Sequence, residues 1–173
     1  EGGGPVLHAL RVLEVISSVL EQYIETNKEL RNCPQNIDGE VGVFHGCKAP
    51  DMNLHHYMQR IFMYPSCSLS CFVVACIYIH RFLHRKNLHL TSLNVNRLLI
   101  TSVMVAAKFN DVHSSNIACY AKIGGVSWRE MKDLEMKFLF AVDFRLYVTT
   151  AMFEECCHHL EEASTCPCIK KIC

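Results

Sequence analysis

The chain has no long hydrophobic run. Its longest, Leu69 to Ile79, is interrupted by Ser70 and closed by His80 and Arg81, well short of the roughly 20 apolar residues that a bilayer requires. Half of the 173 residues are apolar all the same, so the run reads as a buried helix in one domain with a sizeable core, and no membrane partner is expected. Neither sign of charge is in excess. Seventeen basic residues cancel seventeen acidic ones, which gives the chain no general pull toward nucleic acid or an anionic surface. Common catalytic signatures are missing too: there is no glycine-rich phosphate loop after a strand, no His-Glu-x-x-His and no Gly-x-Ser-x-Gly. We therefore expect no enzyme and no cofactor. Strand alternation, repeats and low-complexity tracts are also lacking, which leaves an all-α fold.

Cysteine is what the chain has in plenty. Eleven are present, and the opening Glu-Gly-Gly-Gly-Pro-Val has neither the basic nor the apolar part of a secretory leader. Several cysteines, Cys71 and Cys76 among them, fall inside apolar helical runs. They are expected to be reduced core residues of a cytoplasmic or nuclear protein. His80 and His84 have the spacing of helical metal ligands, and Cys156-Cys157-His158-His159 with Cys166 and Cys168 supplies ligand types near the end. Arg81 and Arg85 flank the first group, and neither group has paired Cys-x-x-Cys spacing, so no metal is expected.

Apolar residues stepping by three or four predict a helix from Val6 to about Leu30. Pro34, Gly39, Gly42, Gly46 and Pro50 then mark a connection from Asn32 to Asn53, long enough that it must pack down or have a task. Five helices follow, His55–Tyr64, Ser68–Lys86, Thr91–Phe109, Asn116–Ile123 and Ser127–Val142, and a sixth spans about Thr150 to Ala163. The third of the five is apolar on every side from Leu98 to Ala107, as a helix surrounded by others must be, with Thr91 or Ser92 available to cap it. The fifth opens on Ser127-Trp128-Arg129-Glu130, a capping box, with Val126 and Met131 placed for a hydrophobic staple.

Two charges stand out against this apolar background. Lys108 ends the apolar third helix, and Glu135 lies within the stripe Met131, Leu134, Phe138, Leu139 and Val142 of the fifth. A carboxylate there is either at the edge or paired. Local pairing with Asp111 for Lys108 and with Lys132 for Glu135 is one reading. Contact with another molecule is the other.

The segments Tyr78-Ile79-His80-Arg81-Phe82-Leu83, Arg97-Leu98-Leu99, Ala106-Ala107-Lys108-Phe109, Tyr120-Ala121-Lys122-Ile123-Gly124-Gly125 and Leu134-Glu135-Met136-Lys137-Phe138-Leu139, in that order, resemble a cyclin box. The wording is similar to the P/U-type cyclins and the phosphate-regulatory cyclins of fungi, over roughly residues 44 to 146. The resemblance implies a five-helix box at 54–146 wrapped around its third helix, preceded by a helix and loop at 1–53 and followed by a helix and cysteine-rich tail at 147–173. It implies a regulatory subunit that binds a cyclin-dependent protein kinase and stabilises the inward position of the kinase's movable helix. On that alignment Lys108 and Glu135 are the charged contacts, and Phe109, Leu139, Phe144 and Leu146 the apolar ones beside them.

Further expectations follow from the same alignment. Leu54, Tyr57 and Ile61 align with an apolar patch that docks substrate peptides in many cyclins, although the motif itself is not preserved and the same face could equally be plain core. His80 stands where the family usually has an acid, and Asp51 where the arginine that pairs with that acid would be, so an inverted Asp51–His80 pair is one reading and a His80 solvated or satisfied locally is the other. The basic run His80, Arg81, His84, Arg85 and Lys86 either complements its helix end or meets an acidic or phosphorylated regulator. A cyclin-fold adaptor for nucleic acid or transcription machinery is the competing class; it calls for a basic face, which the balanced charge does not favour.

Overall fold

The computed structural model describes residues 4–28, 39–63, 67–111 and 116–165. These form seven helices: α1 (Gly4–Asn27), α2 (Leu54–Met63), α3 (Ser70–Lys86), α4 (Val95–Asn110), α5 (Ile117–Gly124), α6 (Trp128–Ala141) and α7 (Thr150–Thr165). One 3-10 turn, Gly42–Phe44, precedes α2, and no strand occurs among the described residues. The fold is all-α as expected, and none of its helices is long and apolar enough to cross a membrane.

α4 is the axis. Every residue from Leu98 to Ala107 is buried, and the helix packs against α2, α3, α5 and α6. Its two interior hydroxyls are satisfied within the helix, Thr101 donating to the Arg97 carbonyl at 2.7 Å and Ser102 to that of Leu99 at 3.0 Å, so their burial leaves nothing unpaired. α4 begins at Val95 rather than Thr91. The wholly buried Asn94 explains the shift, because its amide accepts from the Thr91 N–H at 2.8 Å and donates to the His89 carbonyl at 2.9 Å. Such local bonds compete with helix and hold residues 91–94 in a turn.

α5 is capped by Asn116, which accepts from the Ala118 and Cys119 N–H groups, and it ends on Gly125, whose φ of 66° suits a residue without Cβ. Ser127 caps α6 through the Glu130 N–H at 3.1 Å. The expected box closes only halfway, because the Glu130 carboxylate turns to Arg97 at 2.7 Å.

The long connection does pack down where it is described. Phe44 is buried with its ring 4.8 Å from that of Phe82 and 6.2 Å from that of Phe138, while Arg97 donates to the Val43 carbonyl and the Gly46 N–H to that of Leu93. Residues 29–38 of the predicted first helix and loop lie outside the described residues. α1 buries Leu13, Ile16 and Leu20 and packs on α2 and α7, whereas Leu7, counted in its apolar stripe, is exposed.

Candidate functional site

Lys108, in the last turn of α4, and Glu135, midway along α6, pair with each other: Nζ and Oε1 are 2.6 Å apart. Their side chains are 36% and 16% exposed, so the pair lies at the margin of the core. Neither local alternative is realised. Lys132 instead places its ammonium 4.1 Å from the centroid of the Trp128 ring.

Asp111 is also occupied elsewhere. It accepts from the Ser68 N–H at 2.9 Å, the Ser68 hydroxyl at 2.7 Å and the Cys71 thiol at 3.3 Å. Burial alone would raise the Asp111 carboxyl, but these donors outweigh it and hold the group below the usual carboxylate value. Burial also pushes Cys67 up to about 12 and Cys71 up to about 11, which keeps both thiols neutral and Cys71 a donor. This cluster fastens the start of α3 to the end of α4, three residues beyond Lys108. Sequence reasoning missed it; the only signal was an acidic residue directly after the apolar helix.

Large apolar side chains are exposed next along the chain from each member of the pair, Phe109 after Lys108 and Met136, Phe140, Phe144 and Tyr147 after Glu135. Phe109 is 53% exposed, Phe144 54% and Phe140 65%, with Met136 and Tyr147 also open to solvent. Phe140 and Phe144 meet edge to face at 5.3 Å between centroids. Leu139 and Leu146 are half-buried and pack on the core. Of the six residues expected at a partner surface, the structure therefore joins Lys108 to Glu135, leaves Phe109 and Phe144 open, and sets Leu139 and Leu146 beneath. Phe140 and Met136 were not anticipated, since sequence alone does not separate exposed from inward apolar positions on α6.

The turn that follows α6 presents Phe144. Asp143 and Phe144 both adopt left-handed backbone, at φ 57° and 53°, a conformation that costs non-glycine residues of order 1–3 kcal/mol and requires outside support. α3 supplies it. Arg81 donates to the carbonyls of Arg145 at 2.6 Å and Tyr147 at 3.1 Å, Arg85 donates to that of Ala141 at 3.1 Å and pairs with Asp143 at 3.6 Å, and Tyr78 donates to that of Leu146 at 2.6 Å. Two members of the basic run are thus engaged inside the molecule, and Lys86 pairs with Glu40 at 3.0 Å. Arg81 and Arg85 serve as a clasp on the 141–147 turn.

Two further expectations are corrected. Leu54, Tyr57 and Ile61 are buried, and the Tyr57 hydroxyl donates to the Asn96 carbonyl at 3.3 Å; a core face and a docking face have the same spacing, and here the face is core. Burial raises the Tyr57 phenol and keeps it a donor. Asp51 pairs with Lys48 at 3.0 Å in solvent instead of with His80, which lines a cavity between α1, α3 and α7. The seven described cysteines are free, and no three metal-ligating side chains gather among the described residues; Cys166 and Cys168 lie outside them.

The sequence that folds these helices around a buried α4 matches a known family across most of its length. The cyclin profile matches residues 11–146. The chain belongs to the cyclin family. This cyclin is 46% identical over 156 residues to Cyclin-U4-1 of Arabidopsis thaliana, covering 90% of the chain and 77% of that relative. It is 44% identical over 152 residues to Cyclin-P3-1 of Oryza sativa subsp. japonica, covering 88% of the chain and 64% of the relative, and 41% identical over 167 residues to the rice Cyclin-P4-1, covering 94% and 78%. The chain thus spans between about two thirds and four fifths of the length of these relatives. The role that goes with the family is regulatory rather than catalytic.

Proposed function

We propose that this cyclin binds a cyclin-dependent protein kinase and activates it by stabilising the inward position of the kinase's movable helix. The observation that carries the reading is the Lys108–Glu135 pair, together with the exposed rings of Phe109, Phe140 and Phe144 that follow its two members along the chain. A kinase holds its nucleotide phosphates correctly only when the glutamate of that helix meets the strand lysine. A partner that touches only the inward state shifts the population toward it, and turning a mostly inactive enzyme into a mostly active one requires about 5 kcal/mol of preference.

Exposed ion pairs give about 0–1 kcal/mol each, so the aromatic residues contribute most of that preference. Lys108 and Glu135, already facing each other, offer opposite charges in fixed positions and set the register of the partner. Leu139 and Leu146 support the surface from below, and the α3 clasp holds Phe144 out.

The test uses the exchange variant Lys108→Glu with Glu135→Lys, which keeps an internal ion pair and reverses the pattern shown to a partner. Affinity capture and mass spectrometry against wild type, followed by activity of the recovered kinase, should show a cyclin-dependent kinase with wild type and a marked loss with the exchange. Equal recovery by both would place the interface elsewhere. Recovery of nucleic acid and no kinase would favour the adaptor class.

A further inference from the structure

The amino-terminal half of α6 carries exposed surface that the residues above leave unused. Trp128, Lys132, Glu135 and Leu139 recur at steps of four, three and four, which aligns side chains in one row along a helix. The row leads from the charge pair back to the helix start. There Trp128, the one tryptophan in the chain, is 48% exposed, and the Lys132 ammonium rests over its ring. A cation held on an indole face is positioned before any partner arrives.

Charges around this platform do not cancel. Glu130 is neutralised by Arg97 at 2.7 Å and Asp133 by Lys137 at 2.9 Å. Arg129 and Lys132, both exposed, have no ion pair among the described residues. The surface is therefore an aromatic plane with uncompensated positive charge, while the far end of the row holds a carboxylate and a lysine already balanced.

We propose that Trp128 and Lys132 extend the partner face along α6 and receive an acidic side chain of the bound kinase, its carboxylate on Lys132 and its apolar stem on the indole. The assignment rests on the kinase reading above. Seven residues at the helical rise put Trp128 about 10 Å from Glu135, so one partner segment about two helical turns long touches both. Tryptophan is among the residues that dominate interface energies, and a lysine already seated on its ring has less side-chain freedom to lose on association.

The test measures binding of Trp128→Ala, Lys132→Glu and Lys132→Arg to a purified cyclin-dependent kinase that binds wild type, at two salt concentrations, with the Lys108/Glu135 exchange alongside. Circular dichroism verifies that these surface variants fold. Trp128→Ala should weaken binding by about tenfold or more. Lys132→Glu should weaken it and flatten its salt dependence, and Lys132→Arg should retain both. If the exchange abolishes binding while Trp128→Ala and Lys132→Glu match wild type, the face ends at Glu135: the extension is wrong and the kinase reading stands. A loss with Trp128→Ala but none with Lys132→Glu at either salt overturns the acidic assignment. If every variant including the exchange binds as wild type does, or if no such kinase binds wild type, both proposals fall.

Discussion

Tyr78 of α3 donates its hydroxyl to the carbonyl of Leu146 at 2.6 Å, across 68 residues of sequence. The bond links the helix that supports the core to the turn that presents Phe144. Tyr78→Phe keeps the ring and removes one bond, so it should cost about 1 kcal/mol of stability. Urea denaturation measures that loss. Kinase binding should fall as well, because the turn loses one of its fastenings.

Phe144 separates stability from binding more cleanly. Asparagine tolerates left-handed backbone better than phenylalanine does, so Phe144→Asn should leave stability within about 1 kcal/mol of wild type. Removing an exposed aromatic from the proposed interface should weaken kinase binding by about tenfold. Parallel denaturation and calorimetric titration check the two expectations; a variant that unfolds easily would show that the ring serves the fold.

The Asp111 cluster gives an acid-sensitive contribution. The folded-state carboxyl lies below its unfolded value of about 3.9, so its stabilisation is present above that pH and is lost as pH falls through the folded value. Asp111→Asn removes a charged acceptor and should cost about 1–3 kcal/mol at pH 7. Between pH 5 and pH 2 its denaturation midpoint should fall less steeply than that of wild type.

Ile61 distinguishes core from docking surface. Ile61→Ala should destabilise the protein by about 2–5 kcal/mol, as expected for a fully buried aliphatic residue. A thermal melt close to wild type together with weaker substrate phosphorylation would restore the docking reading.

For the free protein, a double-mutant cycle on Lys108→Ala and Glu135→Ala should give a coupling of at most about 1 kcal/mol, since both groups remain in partial contact with water. The same cycle on kinase affinity should give a larger value once the pair is desolvated.

The helices were legible because α4 is apolar on all sides and α6 has a clear cap, signals that depend on neighbouring residues alone. The helix starts near Ser68 and Thr91 were misplaced because Asp111 and Asn94 engage backbone groups that a sequence pattern does not reveal. Lys108 and Glu135 were identified as notable, but their mutual pairing depends on how two helices cross. Leu54, Tyr57 and Ile61 stayed open between core and docking surface because periodicity identifies an apolar face without saying what covers it, and their burial decides for core. Arg81 and Arg85 were read as complementing their helix end or meeting an acidic regulator, because the carbonyls they bind in the 141–147 turn lie far along the sequence.

Phe44 sits ten residues ahead of α2, yet its ring fills the joint between Phe82 and Phe138. A version of this cyclin cut to begin at Leu54 would leave that slot empty and expose two phenylalanines to water, at a cost comparable to deleting a core side chain outright. Anyone trimming the gene to its five-helix heart should retain the upstream strap, or expect a product that clumps.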